Sequence, residues 1–475
     1  MRGLRRIVVV GSGVGAWMSA AWLARALKRL GTEVLQVSAE GSPTAPVLAS
    51  LPSLETFHQA LGFDLRDLMR AAEGSFRLGT LHSETGGVHV YGDTGAAFGT
   101  VPFHLVWRAH AEDTSPSAYG RYSLASLAAQ AGRFAPPLGD GPAGSAYSPG
   151  LHLAGPAYQR FLERAALHYG VIPAGRLSTG SIDCVTGRII LDDGSIIEAD
   201  LVIDTVGVQG SDLFRRFEGL PEKVTVRYGT KATCEMLGMA RLHTIAGSRA
   251  VDVPLETAVY RILMSTSDAA DHHAGSVLRK SGHEPISEAT SSFKIGCRHA
   301  PWTGKVISLG EAACRLPPVE AAELRILQIG LEALLQLLPS SGDPGPEIGE
   351  FNRIVGEAYQ AFADFSALAF LSPTAVPEDA SPTLRIRLNN FTSRGRLVLM
   401  DGESFTRESW AGAFIASGWK MERADAHASA LPKARVRAQL AGIARALAAS
   451  CETLPDQRTF LRRAGLLGTQ KTGAG

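Results

Sequence analysis

The stretch Ile7-Val8-Val9-Val10-Gly11-Ser12-Gly13-Val14-Gly15-Ala16-Trp17-Met18 changes character at Gly11. Before it, four β-branched residues in a row suit a parallel strand covered on both faces. After it, Met18, Ala21, Trp22, Ala26 and Leu30 recur at three- and four-residue steps, which predicts a helix over 17–30. Lys28 and Arg29 fall near its end, where cations complement the helix dipole. Val34 to Val37 predicts a second strand and completes a compact βαβ unit. In such a unit the glycine turn has a physical purpose. A dinucleotide pyrophosphate must reach backbone N–H groups at the helix N-terminus, so side chains are excluded there. Gly11 makes the tight turn, Gly13 permits close approach, and Ala16 packs the helix on the strand. Gly11, Gly13, Val14, Gly15, Ala16 and Trp17 are therefore the expected cofactor-binding segment; the alternative is a purely structural βα turn. At the end of the second strand, where a ribose-binding acid belongs, stands Ser38, with Glu40 two residues on as either a ribose ligand or an exposed loop acid. No arginine occupies that strand end, which disfavours NADP.

Working outward, Phe134 to Gly150 is rich in Pro, Gly and Ala and reads as a loop or lid, within a stretch from about 98 where periodicity is weak. Tyr158 to Tyr169 is helical in spacing, and Arg188 to Glu198 forms a hairpin pattern around Asp192-Asp193-Gly194. Leu201 to Asp204, leading to Gly207, and Val306 to Leu309, ending at Gly310 and Glu311, are further buried strands. After Pro317-Pro318 an amphipathic helix is predicted over 319–338, and Pro339 to Pro346 ends it. Another runs over 433–449. His272-His273 reads as a solvated loop, His152 as a structural histidine, and Trp302 and Trp410 as core or pocket-wall aromatics.

The 475 residues suffice for a large core, and 47 Lys plus Arg against 46 Asp plus Glu leave no net field to recruit nucleic acid or an acidic membrane. No run of about 18 apolar residues predicts a membrane span. The five cysteines are scattered without CxxC or zinc spacing, so no metal is expected and a reducing, cytoplasmic setting is.

Taken together, these segments resemble the flavin-dependent tryptophan halogenases. The resemblance rests on Gly11 to Met18, on Leu51-Pro52-Ser53-Leu54, on Ser75-Phe76-Arg77-Leu78, on Asp200 to Gly207, and on Trp302 to Gly310 followed by Pro318-Val319-Glu320. It implies an α/β fold: a three-layer, doubly wound FAD-binding domain with an inserted mixed β-sheet over 1–338, and a mainly helical C-terminal region over 339–475. It also implies FAD, contacted at the strand ends Gly207, Gly310 and Glu311 and reduced by a separate flavin reductase, and chloride or bromide. In that chemistry reduced FAD and oxygen turn halide into hypohalous acid, which reaches a lysine beside an aromatic substrate, with a glutamate assisting. Glu320 matches the glutamate, and Arg77 stands where the lysine belongs.

Other positions depart from the family pattern as well. A guanidinium can donate hydrogen bonds to hypohalous acid but does not supply a neutral amine. The two tryptophans preceding Ile-Pro are replaced at Arg249-Ala-Val251-Asp-Val253-Pro254, and the glycine-rich flavin loop by Ala45-Pro46-Val47-Leu48. The small polar residues after the glutamate become Ala321 and Ala322. Three readings follow: a halogenase-like oxidoreductase acting on an aromatic, indole-like substrate; a non-catalytic binding or regulatory subunit paired with an active paralogue; and a flavin monooxygenase, with a homodimer or a paralogue pair as the expected assemblies.

Overall fold

The computed structural model describes residues 4–136, 147–178, 181–208, 214–232, 234, 237–339, 345–400 and 403–467. Its centre is the βαβ unit, with β1 (Arg6–Val10), α1 (Val14–Leu27) and β2 (Glu33–Ala39). The two strands run parallel, with Ile7 opposite Val34. A short 3-10 turn, Lys28–Leu30, replaces the last turn of the predicted helix and ends at Gly31 in the left-handed region. The strand period of two then divides β1 between two cores. Ile7 and Val9 join Ala16, Ala20 and Leu23 of α1, while Val8 and Val10 join Leu35, Val37, Ile189 and Leu191.

That division produces the three layers. The central sheet has six strands in the order Trp302–Thr303, Val306–Ser308, Leu201–Asp204, β1, β2 and Ile172–Leu177. All neighbours are parallel except the outermost Trp302–Thr303 pair. One face is covered by α1 and the helices Gly155–His168 and Ala322–Gln336, the other by a small three-stranded sheet that contains the predicted hairpin, Arg188–Ile190 and Ile196–Glu198.

The inserted sheet is mixed and has nine strands. Ser75–His82 pairs parallel with Gly238–Ile245 and antiparallel with Gly87–Val90 and Gly150–Ala154. Most described residues past 344 are helical, from Gly345–Ala367 to Gln457–Arg463. The last of these helices docks on the inserted sheet: buried Gln457 accepts a hydrogen bond from Phe76 N at 3.1 Å, and Phe460 packs against Phe134, which stacks on Phe76. No helix among the described residues is long and apolar enough to cross a membrane.

Three local expectations need correction. The weak stretch after 98 contains helices at Phe103–His110, Pro116–Tyr119 and Leu124–Gln130; they are too short for a periodic signal, and the first and third bury nearly every face. Residues 137–146 of the expected lid lie outside the described residues. His272 and His273 are exposed on the helix Asp268–Lys280, capped by Ser267, rather than in a loop. Finally, the helix predicted from 319 begins at Ala322, because Ala321 takes a left-handed conformation with φ 59°. That turn carries Glu320 off the helix axis.

Candidate functional site

Around the glycine turn the backbone is held from behind and bare in front. Gly11 has φ 135°, and a Cβ there would stand 2.2 Å from Thr205 Oγ1, which itself donates to Val10 O at 2.7 Å. Gly13 caps α1 with no side-chain acceptor and no acid in the first turn, so the first amides of the helix have no side-chain partner. A Cβ on Gly13 would meet nothing within 4 Å. It faces a cleft of about 640 Å³ whose wall includes Ser12 to Ala16, Ser38, Glu40, Gly310 and Glu311. Trp17, in contrast, is buried in the core at 6% exposure and is not on that wall.

Strand ends build the remaining walls. Ser38 stands at the end of β2, and exposed Glu40 accepts from Arg176 Nη2 at 2.6 Å. Arg176 comes from Ile172–Leu177, whose register places it beside Ser38. The expectation of no arginine at this strand end is therefore corrected: sheet pairing brings one in from 138 positions along the chain, counting from Ser38. Gly207 (φ 83°) follows Asp204, whose Oδ1 accepts from Val206 N and Gly207 N; it is not on the wall of this cleft but lines a neighbouring recess with Glu40 and Val206. Glu311 and Glu323 share the cleft wall, and burial, reinforced by Glu311, pushes Glu323 up to about 7.

Arg77 and Glu320, far apart in sequence, meet in the interior. Arg77 Nη2 donates to Glu320 Oε2 at 3.2 Å and to Thr80 Oγ1 at 2.9 Å, and Nη1 donates to Ser50 O at 3.4 Å. The guanidinium lies 4.9 Å from the centre of the Tyr91 ring, and Tyr91 OH donates to Glu320 at 3.4 Å. Burial raises the Glu320 carboxyl while Arg77 pulls it down, and the net shift is upward. His89 Nδ1 is 3.9 Å from Glu320, but burial pushes this histidine down to about 3, so it is neutral. Two segments connect the pair to the cleft. Leu48 lines the cleft two residues before Ser50, and Glu323 lines it three residues after Glu320.

Residues 6–433 match the tryptophan halogenase family. The chain belongs to that family. Among solved structures, it is similar to a flavin-dependent halogenase from Xanthomonas campestris, at 26% identity over 97% of this chain and 98% of the other, with a TM-score of 0.86. It has the same fold as a flavin-dependent halogenase from Brevundimonas sp. BAL3, at 23% identity over 98% and 99% of the two chains and a TM-score of 0.85. A tryptophan 6-halogenase from Streptomyces toxytricini shares that fold at 15% identity, over 97% and 100%, with a TM-score of 0.83.

Within this tryptophan halogenase fold the unusual residues have clear surroundings. Arg249, Val251 and Val253 lie on the strand Ser248–Pro254; the two valines are buried, Arg249 pairs with Glu84 at 3.3 Å, and Pro254 O accepts from Ser75 Oγ beside Arg77. Ala45 to Leu48 leads into the strand Val47–Ala49, which pairs with Gly150–Ala154. His152 is fully buried and kept neutral by that burial and by Arg77. Trp302 and Trp410 are core residues at 0% exposure. Among the described residues no group of His, Cys, Asp or Glu could hold a metal ion. Tyr91, His89, Arg176 and Glu323 escaped sequence reasoning, because nothing local to them signals that the sheets bring them to these sites.

Proposed function

We propose that the chain is an FAD-binding oxidoreductase that uses reduced FAD and oxygen on an aromatic, indole-like substrate. The observation that carries the reading is the bare helix N-terminus at Gly13, whose amides face a cleft large enough for a dinucleotide. The residues fit that group: the amides of 13–16 would receive the diphosphate, while Ser38 and Glu40, the latter oriented by Arg176, would take the ribose hydroxyls. Gly310 and Glu311 would border the remainder. When bound, reduced flavin supplies two electrons to oxygen, and a separate reductase and a halide ion complete the reaction. This chain's own contribution lies at Arg77 and Glu320. Arg77 would donate hydrogen bonds to an electronegative oxidant, and Glu320 would accept a proton from the ring under attack. Both side chains are sealed, at 1% and 8% exposure, so substrate must open this ion pair to reach them.

That sealing also supports a second reading, a halogenase-like protein that binds without turning over, alone or paired with a paralogue. The third, monooxygenase, reading would show oxygen uptake independent of halide. Titration with FAD, followed by incubation with reduced FAD, bromide and indole, separates them. FAD binding with brominated product supports the first reading. Binding without product or oxygen uptake supports the second, and no binding at high micromolar FAD removes the flavin proposal altogether.

A further inference from the structure

Cys297 and Cys314 stand 17 positions apart in sequence yet directly opposite each other on the antiparallel strands Gly296–Arg298 and Cys314–Arg315. The neighbouring pair is the hydrogen-bonded one, with Arg298 N donating to Ala313 O at 2.8 Å. Alternation makes Cys297–Cys314 the non-hydrogen-bonded pair, in which Cα atoms approach to about 4.5 Å and side chains share a face. A disulfide accepts Cα separations of roughly 4.4–6.8 Å. Cys314 also lines the large cleft beside Glu311 and Glu323, whereas Cys297 is 0% exposed behind it. Both cysteines are present as free thiols.

We propose that Cys297 and Cys314 are a dithiol that peroxide entering the cleft oxidises to a cross-strand disulfide. The reaction begins at Cys314, which borders the cleft although only 5% of it is exposed. Peroxide transfers one oxygen to the Cys314 thiol, giving a sulfenic acid and one water. The Cys297 thiol then attacks that sulfur, the S–O bond breaks, and a second water leaves carrying the thiol proton. Two thiols thus lose two electrons to one peroxide, and the pair absorbs one oxidant equivalent on the wall of the cleft. Burial makes both steps slow at neutral pH: it holds the Cys314 thiol well above its ordinary value and pushes Cys297 up to about 11 despite the neighbouring Arg215. Once formed, the disulfide ties the cleft wall to the strand Gly296–Arg298.

The test uses the full chain with hydrogen peroxide alone and needs neither flavin nor turnover, so its failure leaves the flavin reading untouched. Thiols titrated after denaturation should fall from five to three, the mass should drop by about 2 Da, and a peptide should link 297 to 314. In Cys297→Ser the reaction should stop at a sulfenic acid on Cys314 that dimedone traps, while Cys184→Ser should still form the link. Unchanged thiols, or thiol loss without a 297–314 peptide in the unaltered protein, would overturn the proposal.

Discussion

Replacing Arg77 with methionine removes the guanidinium but keeps most of the buried volume. It leaves Glu320 at 8% exposure with no cation beside it, only the Tyr91 hydroxyl at 3.4 Å, the Thr80 hydroxyl and a neutral His89. Breaking a buried pair in this way costs about 3–5 kcal/mol while the orphaned carboxylate stays charged. The loss depends on pH with a definite sign. Burial already raises Glu320 above its ordinary value, and without Arg77 it must rise further. Below the unfolded value of about 4.3 the group is protonated in both states and the penalty vanishes. The loss relative to the wild type starts above the wild-type folded value, which burial already holds high, and grows by up to about 1.4 kcal/mol per pH unit until the variant's folded carboxyl ionises. A cooperative unit of this length unfolds with an entropy on the order of 1 kcal/mol/K, so Tm should fall by about 3–5 °C at pH 8 and by clearly less at pH 5.5. Thermal unfolding across that range is the assay, with Arg77→Met/Glu320→Gln expected to recover most of the loss at pH 8. Equal losses at both pH values, with no recovery in the double variant, would refute an ion pair as what Arg77 contributes.

Further outcomes follow from the cleft and the sheet. Gly13→Leu should fold normally, because the backbone there is extended and a Cβ meets nothing, yet weaken FAD binding by about 100-fold, or ~2.8 kcal/mol. Gly11→Ala should instead lower Tm, since its Cβ would collide with Thr205; the reverse pattern in calorimetry and flavin titration would sink the assignment of the two faces. Glu323 is neutral below about 7 and ionised above it, so FAD, an anion, should bind on the order of tenfold more tightly at pH 6 than at pH 8. Glu323→Gln should flatten that profile in equilibrium titrations. Gln457→Leu strands the Phe76 amide in the core and should cost roughly 1–3 kcal/mol, read as a lower denaturation midpoint.

Read alone, the sequence determined whatever depends on residues close together along the chain. Four β-branched residues, a glycine turn and a three-to-four-step helix suffice for β1, α1 and β2, since both the period and the bare amides are local properties. The family also followed from short segments kept in order. Other features needed the tertiary structure. Arg176 reaches Glu40 only because the strand Ile172–Leu177 pairs with β2, and no feature around position 176 announces this. Arg77 and Glu320 were legible as candidates from resemblance, but their sealed contact depends on the inserted sheet meeting a left-handed turn at Ala321. The pairing of Cys297 with Cys314 is likewise a matter of strand register, and spacing along the chain made these cysteines look unrelated. Pairing between distant strands is set by how all the apolar faces are buried at once, so a window of neighbouring residues carries the pattern of each element but not the identity of its partner.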